Sequence, residues 1–277
     1  MSDSFKAAFE RDGYVVARRL FSAGDAARYR DHFIALRRRG SYPHDLVGAD
    51  PQARDPLRRY PRMAHMHRWD EVSLRWLLDP RIAARLRRLT GAEPYAVQTM
   101  LYFKPPGARG QALHQDNYFL RAQPGTCVAA WMALDPADED NGCLQVVPGS
   151  HEWPILCASQ ADTSASFTSV TVPLPGSALI RPVVMRPGDV LFFNGSLVHG
   201  SLPNRASGRF RRSLIGHYIS ADVAQVAAYY QPALAMDGTP LTLGTSPDGG
   251  PCGVWAEQDG IPAIELTGHQ LAGQARE

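Results

Sequence analysis

The sequence predicts a mainly β fold, a jelly-roll core buttressed by N-terminal helices, on three observations. From about Tyr95 onward the chain breaks into short β-type runs separated by Pro and Gly turns. The first third carries helical rather than alternating periodicity. The 277 residues are 44% apolar and 20% charged, an ordinary globular balance with enough apolar surface for a sizeable core. Helices that lead into such a block of strands pack on it as a second layer.

Along the chain, Gly13-Tyr14-Val15-Val16-Ala17 reads as a short strand. Ser22 suits a helix cap, with Asp25 favourable in the first turn. Ala26, Tyr29, Phe33 and Leu36 then share a helical face, and Gly40 ends it. Residues 40–66, rich in Pro, Arg and Asp, read as loop. Asp79-Pro80 suit the cap and first position of a second helix, with Ile82, Leu86 and Leu89 as its buried stripe. Strands are expected at 96–103, 126–134, 143–147, 183–185, 190–193 and 214–219. Residues 158–169, polar and small, read as a long mobile loop, and 240–253 as loop again. The expected organisation is a single domain over 1–277, with a helical part at about 1–94, the core at about 95–221 and a C-terminal extension at about 222–277.

A net charge of +2 names no acidic partner, so no nucleic acid is expected. Only Lys6 and Lys104 are lysines; the other basic residues are arginines, and runs such as 37–39 and 58–59 read as a solvated face. Cys127, Cys143, Cys157 and Cys252 show no paired spacing and read as buried free thiols in a reducing compartment. No apolar stretch reaches the roughly 18 residues needed to span a bilayer, and no basic segment precedes an apolar N-terminal run. A cytoplasmic protein off the membrane is the expectation; its oligomeric state is not legible.

The strongest local signal is His114-Gln115-Asp116. On a strand, residues two apart project to one face, so an imidazole and a carboxylate converge there. That is two thirds of a 2-His-1-carboxylate facial site, which leaves iron positions open. Alone, the spacing arises often by chance. Far downstream, Pro187-Gly188-Asp189 and an apolar strand lead to Val198-His199-Gly200-Ser201, which can deliver a third ligand; the alternative is a surface turn histidine. Arg209, Arg211 and Arg212 stand at the head of the 214–219 strand, and one pointing inward can grip a dicarboxylate through two parallel hydrogen bonds. His32, His44, His151 and His269 read as structural or solvated. His65 and His67 form an HxH pair with no repeated partner nearby. His217 alternates with Arg211, Ser213 and Ile215, so it can face the interior.

Taken together, Gln98-Thr99-Met100-Leu101-Tyr102-Phe103-Lys104-Pro105-Pro106-Gly107 and His114-Gln115-Asp116 resemble the phytanoyl-CoA dioxygenase family. So do Ala130-Trp131-Met132-Ala133-Leu134-Asp135, Asn141-Gly142, Val147-Pro148-Gly149-Ser150-His151, His199-Gly200-Ser201, Pro203-Asn204 and Phe210-Arg211-Arg212. The resemblance runs from about Phe9 to Ile219. It implies a double-stranded β-helix of the cupin-like kind. It implies Fe(2+) held by His114, Asp116 and His199, and 2-oxoglutarate contacted by Met100, Trp131, Ser201 and Arg211. The stretch between the distal histidine and the arginine is one residue longer than in the family pattern, so Arg209 and Arg212 stay open beside Arg211. The implied activity is an O2-using hydroxylation of an unactivated C–H bond of a small molecule, with succinate and CO2 as co-products. Desaturation, epimerisation and ring formation share that chemistry. A non-catalytic jelly-roll binder has no need of a keto-acid clamp, and a zinc hydrolase would need a further carboxylate as general base.

Overall fold

The computed structural model of the chain describes residues 4–43, 45, 48–258 and 261–267. Both expected helix starts occur where short polar side chains meet free backbone N–H groups. Ser22 Oγ accepts from the Asp25 amide while the Asp25 carboxylate accepts from the Ser22 amide, a reciprocal cap on Ala23–Arg38. Asp79 accepts from the Arg81 amide to cap Pro80–Thr90, whose proline sits where no N–H is missed. Each cap is worth about 1 kcal/mol. Two more helices, Ser4–Asp12 and Glu71–Leu77, were not expected. The second is too short to show periodicity and starts from Asp70, which caps Ser73 and also holds His32 Nε2 at 3.0 Å. The 40–66 loop contains one helical turn at Pro56–Arg59 and the short strand Met63–Ala64.

The strands make two facing sheets. The larger runs Tyr14–Ala17, Val190–Asn194, Cys127–Ala133, Ser213–Ser220, Pro94–Tyr102, Ala233–Ala235 and Pro240–Leu241, with Met63–Ala64 also on Pro94–Tyr102. The smaller runs Gln111–His114, His199–Ser201, Leu144–Val146 and Arg181–Val183. Neighbours in both are antiparallel, and those of the core, such as Val190–Asn194 beside Cys127–Ala133, are non-consecutive in sequence, the jelly-roll arrangement expected.

Alternation explains how Cys127–Ala133 is buried at every position. Its Ala129, Trp131 and Ala133 pack between the sheets with Leu144, Val146, Leu191 and Ile215. Its Ala130 and Met132 face the helices with Phe33, Trp76, Leu77 and Ile82. A strand covered on both faces must be apolar throughout, which is why it reads as an unbroken apolar run.

Four expectations are corrected. Cys157 and Cys252 are disulfide-bonded across a sequence separation of 95, while Cys127 and Cys143 are free and buried. The 158–169 segment is not structureless: Ser159–Gln160 pairs with Val170–Thr171, and Ser166 Oγ accepts from the Ala112 amide at 2.9 Å. The region 240–253 contains the strands Pro240–Leu241 and Gly244–Thr245, and beyond it Cys252–Gln258 pairs with Ile261–Thr267. Arg37 is buried and ion-paired to Asp45 at 2.8 Å, whereas Arg38, Arg39, Arg58 and Arg59 are exposed as expected. His151 bonds to the Glu10 carbonyl; His44 and His269 lie outside the described residues. Among the described residues no helix is long and apolar enough to cross a membrane.

Candidate active site

His114 ends the Gln111–His114 strand and lies directly opposite His199, the first residue of His199–Ser201. Asp116 has already left the strand. With φ −61° and ψ −35° it opens the short helix Asn117–Leu120. Strand alternation does not place this carboxylate: a helical turn, not the pleat, brings it beside the imidazoles. Asp116 Oδ1 is 3.5 Å from His114 Nε2 and 3.7 Å from His199 Nε2. The three donor atoms lie within 4.8 Å of one another.

The protonation states suit a cation. His114 Nδ1 is 2.9 Å from the Ala112 carbonyl and His199 Nδ1 is 3.0 Å from the Leu197 carbonyl. A carbonyl only accepts, so each Nδ1 carries the proton and each Nε2 offers a lone pair to the shared point. Burial, and then the neighbouring His114, pull His199 down to about 4, so it is neutral at physiological pH. Burial opposes the charge of Asp116, but the histidines around it, with His217 Nε2 3.0 Å from Oδ2, hold its carboxyl well below the usual range. Two imidazoles and one carboxylate gathered at one point fit a divalent iron with open coordination positions. Among the described residues no other group of three His, Cys, Asp or Glu side chains could hold a metal. His67 hydrogen-bonds Thr99 Oγ1 at 3.0 Å, and the His65 ring packs against Tyr229.

His217, buried at 4% exposure, sets Nε2 3.0 Å from Asp116 Oδ2. It fixes the carboxylate oxygen that the two imidazoles leave free. Replacing His217 with alanine is expected to lower iron affinity by about 10–100-fold, the usual loss when an outer partner of a ligand is removed. His217→Gln should recover part of it. Metal titration checks this; equal affinity in wild type and His217→Ala contradicts it.

Of the four residues attributed to keto-acid contact, Met100 and Trp131 lie on the strands either side of Ser213–Ser220, Ser201 on the smaller sheet and Arg211 just before Ser213–Ser220. Met100 lies opposite Ile215, and Ile215 opposite Trp131. Ser201 is 9% exposed and Arg211 only 3%. Arg211 donates from Nε to the Gly142 carbonyl at 3.1 Å and from Nη1 to Ser213 Oγ at 2.9 Å, and its Cζ is 5.2 Å from the Trp131 ring centre. Burial pulls its guanidinium down to about 10, so it stays charged at neutral pH. The other two arginines are already paired: Arg209 with Asp138 at the surface, and Arg212 with Asp135. Among the described residues no carboxylate pairs with Arg211.

Sequence reading passed over two side chains. Gln111 sets Nε2 3.1 Å from His114 Nε2. Lys104, 3% exposed, donates from Nζ to Ser201 Oγ at 2.8 Å. Its only sequence signal is that it is one of two lysines in an arginine-rich chain.

A phytanoyl-CoA dioxygenase family model matches residues 9–213. The peroxisomal phytanoyl-CoA dioxygenase of Rattus norvegicus is 30% identical over 233 residues, covering 79% of this chain and 68% of that protein. Among solved structures, EctD from S. alaskensis with 2-oxoglutarate and 5-hydroxyectoine has a TM-score of 0.64 at 25% identity, covering 81% of this chain and 78% of that one. EvdMO1 has a TM-score of 0.62 at 27% identity, covering 79% of this chain and 50% of that one. The epimerase SnoN, at 22% identity and a TM-score of 0.59, covers 87% of this chain and 95% of its own and shares the fold. The chain belongs to the phytanoyl-CoA dioxygenase family and is an iron- and 2-oxoglutarate-dependent oxygenase.

Proposed function

We propose that His114, Asp116 and His199 hold Fe(2+), that Met100, Trp131, Ser201 and Arg211 bind 2-oxoglutarate, and that the enzyme hydroxylates an unactivated C–H bond of a small molecule. The observation that carries this reading is a His-Asp-His group gathered at one point in the same fold as a buried arginine, just before Ser213–Ser220, with no carboxylate partner among the described residues. Bound iron and keto acid together supply oxygen activation, with succinate and CO2 as co-products. The chain supplies the rest. Arg211 offers a planar pair of donors to the distal carboxylate. Ser201, two residues after His199, adds a hydroxyl donor to the same group. Met100, Trp131 and Ile215 line an apolar wall that excludes water and strengthens each charged contact.

Anaerobic reconstitution with iron and 2-oxoglutarate, then exposure to oxygen with a metabolite library, tests the reading. One class of compound should stimulate succinate release and emerge with one more oxygen atom by mass spectrometry. A product lacking hydrogen instead would make the outcome desaturation or ring closure, and an isomer of unchanged mass would make it epimerisation. A protein that binds ligands but never releases succinate would be a non-catalytic binder. The whole chain 1–277 is read as one catalytic unit. Its proposed location is the cytoplasm, which the free thiols of Cys127 and Cys143 support and the Cys157–Cys252 bridge does not.

A further inference from the structure

Lys104 stands in a turn after the Pro94–Tyr102 strand, and its backbone is left-handed, with φ +38°. An L-residue with a Cβ resists that region, and such strain persists only where surroundings impose it. Here the surroundings are identifiable. The Lys104 carbonyl accepts from Asn204 Nδ2 at 3.0 Å and from the Arg211 amide at 3.1 Å. The same bonds that turn the backbone therefore tie Lys104 to the residue read as the keto-acid anchor. The side chain runs past Gly142, where an added Cβ would meet its Cε at 2.8 Å, a contact that real side chains do not make. It ends at Ser201 Oγ.

Two basic side chains are thus buried together, Lys104 and Arg211, each 3% exposed. Neither has a carboxylate partner among the described residues. Asp135, the carboxylate that acts on the Arg211 guanidinium, is taken by Arg212. The titratable groups that act on the Lys104 amine are Arg211, from the segment before Ser213–Ser220, and the buried thiol of Cys143, from the segment before Leu144–Val146. Burial first, and then Arg211, pull its ammonium well below the usual lysine range. Ser201 Oγ already accepts from Lys104 and from the Gln111 amide at 3.2 Å, so its own proton is left to point at a ligand. A permanently charged arginine would not serve in this position. Lysine is the basic side chain that gains and loses its proton readily when buried, and this chain otherwise uses arginine almost everywhere.

We infer that Lys104 is a second basic group of the co-substrate pocket, one that takes up a proton from solvent as the distal carboxylate of 2-oxoglutarate enters and returns it when succinate leaves. The inference rests on the proposed keto-acid site and adds to it a proton-linked step. The sign follows from linkage. The free-state affinity of Lys104 for a proton is low, and the incoming carboxylate raises it. Between those two titration points, 2-oxoglutarate binding takes up a proton and weakens as pH rises, by up to about tenfold per pH unit. Below the lower point Lys104 is already charged and binding does not depend on it.

The scarcity of lysine makes a direct test possible. Wild-type protein carrying ¹³C at lysine Cε gives only two signals, from Lys6 and Lys104. Zinc(II) stands in for iron to keep the sample diamagnetic, and Lys6→Arg identifies the Lys104 signal by leaving it alone. Followed against pH, the Lys104 signal should change from ammonium to neutral amine at a lower pH in the metal-loaded protein than after 2-oxoglutarate is added. Lys104→Met should bind 2-oxoglutarate at least tenfold more weakly, with its residual binding insensitive to pH. The same titration midpoint with and without bound 2-oxoglutarate overturns the inference while leaving the keto-acid site standing. Failure of the wild type to bind 2-oxoglutarate at all overturns both.

Discussion

Replacing His199 with alanine is expected to abolish turnover and iron binding while the fold survives. The imidazole is 4% exposed and offers Nε2 to the same point as His114 and Asp116. Removing it leaves a two-donor site, so the loss of iron affinity should exceed the roughly 10–100-fold that an outer partner is worth. The strand itself has little to lose. His199–Ser201 is bonded on both sides, to Gln111–His114 and to Leu144–Val146, through backbone groups that alanine keeps. His114→Ala should behave alike. Iron titration beside far-UV circular dichroism checks both. Unchanged iron binding and turnover in either variant, with native circular dichroism, would remove these residues from the site.

The second large effect is expected at Arg211. A buried carboxylate that loses one side of a bidentate, charge-assisted pair forfeits about 2–5 kcal/mol, much of it because the remaining charge is left unpaired. At roughly 1.4 kcal/mol per tenfold, Arg211→Ala should raise the 2-oxoglutarate requirement at least tenfold. Iron affinity should change little, because Arg211 bonds to Gly142 and Ser213 and not to the ligand histidines. Arg209→Ala should be mild, since its partner Asp138 lies at the surface. Arg212→Ala releases Asp135 and should affect stability more than keto-acid binding. Steady-state kinetics against 2-oxoglutarate for the three variants checks the order. A large keto-acid defect in Arg209→Ala or Arg212→Ala, with Arg211→Ala near normal, would shift the anchor to that residue.

Much of this site could be read from the sequence because its signals are local. Turns rich in Pro and Gly bound each core strand, so the runs before His114 and His199 stood out. The paired arrangement of Arg211, Ser213 and His217 followed from strand alternation, and the structure keeps Arg211 and Ser213 in contact. What local patterns missed was decided over long range. Lys104 turns inward because Asn204 and Arg211 hold its carbonyl, and neither is near it in sequence. Cys157 and Cys252 meet across 95 residues, a pairing that spacing does not encode. The 158–169 segment looked free because its partners, Gly110 and Ala112, lie just before and within the strand that ends at His114, distant in sequence. Asp116 was found through a strand rule although it sits on a helical turn. Its residue type was informative and its backbone was not.

The central claim is that one point in this fold takes iron and, beside it, a keto acid. The most direct measurement is an anaerobic titration of the iron(II)-loaded protein with 2-oxoglutarate, followed by the visible charge-transfer absorption that a chelated keto acid gives with ferrous iron. The account expects a band that saturates at one keto acid per protein, is lost in His199→Ala and needs more 2-oxoglutarate to form in Arg211→Ala. Iron that binds tightly while no band appears at any 2-oxoglutarate concentration would contradict it.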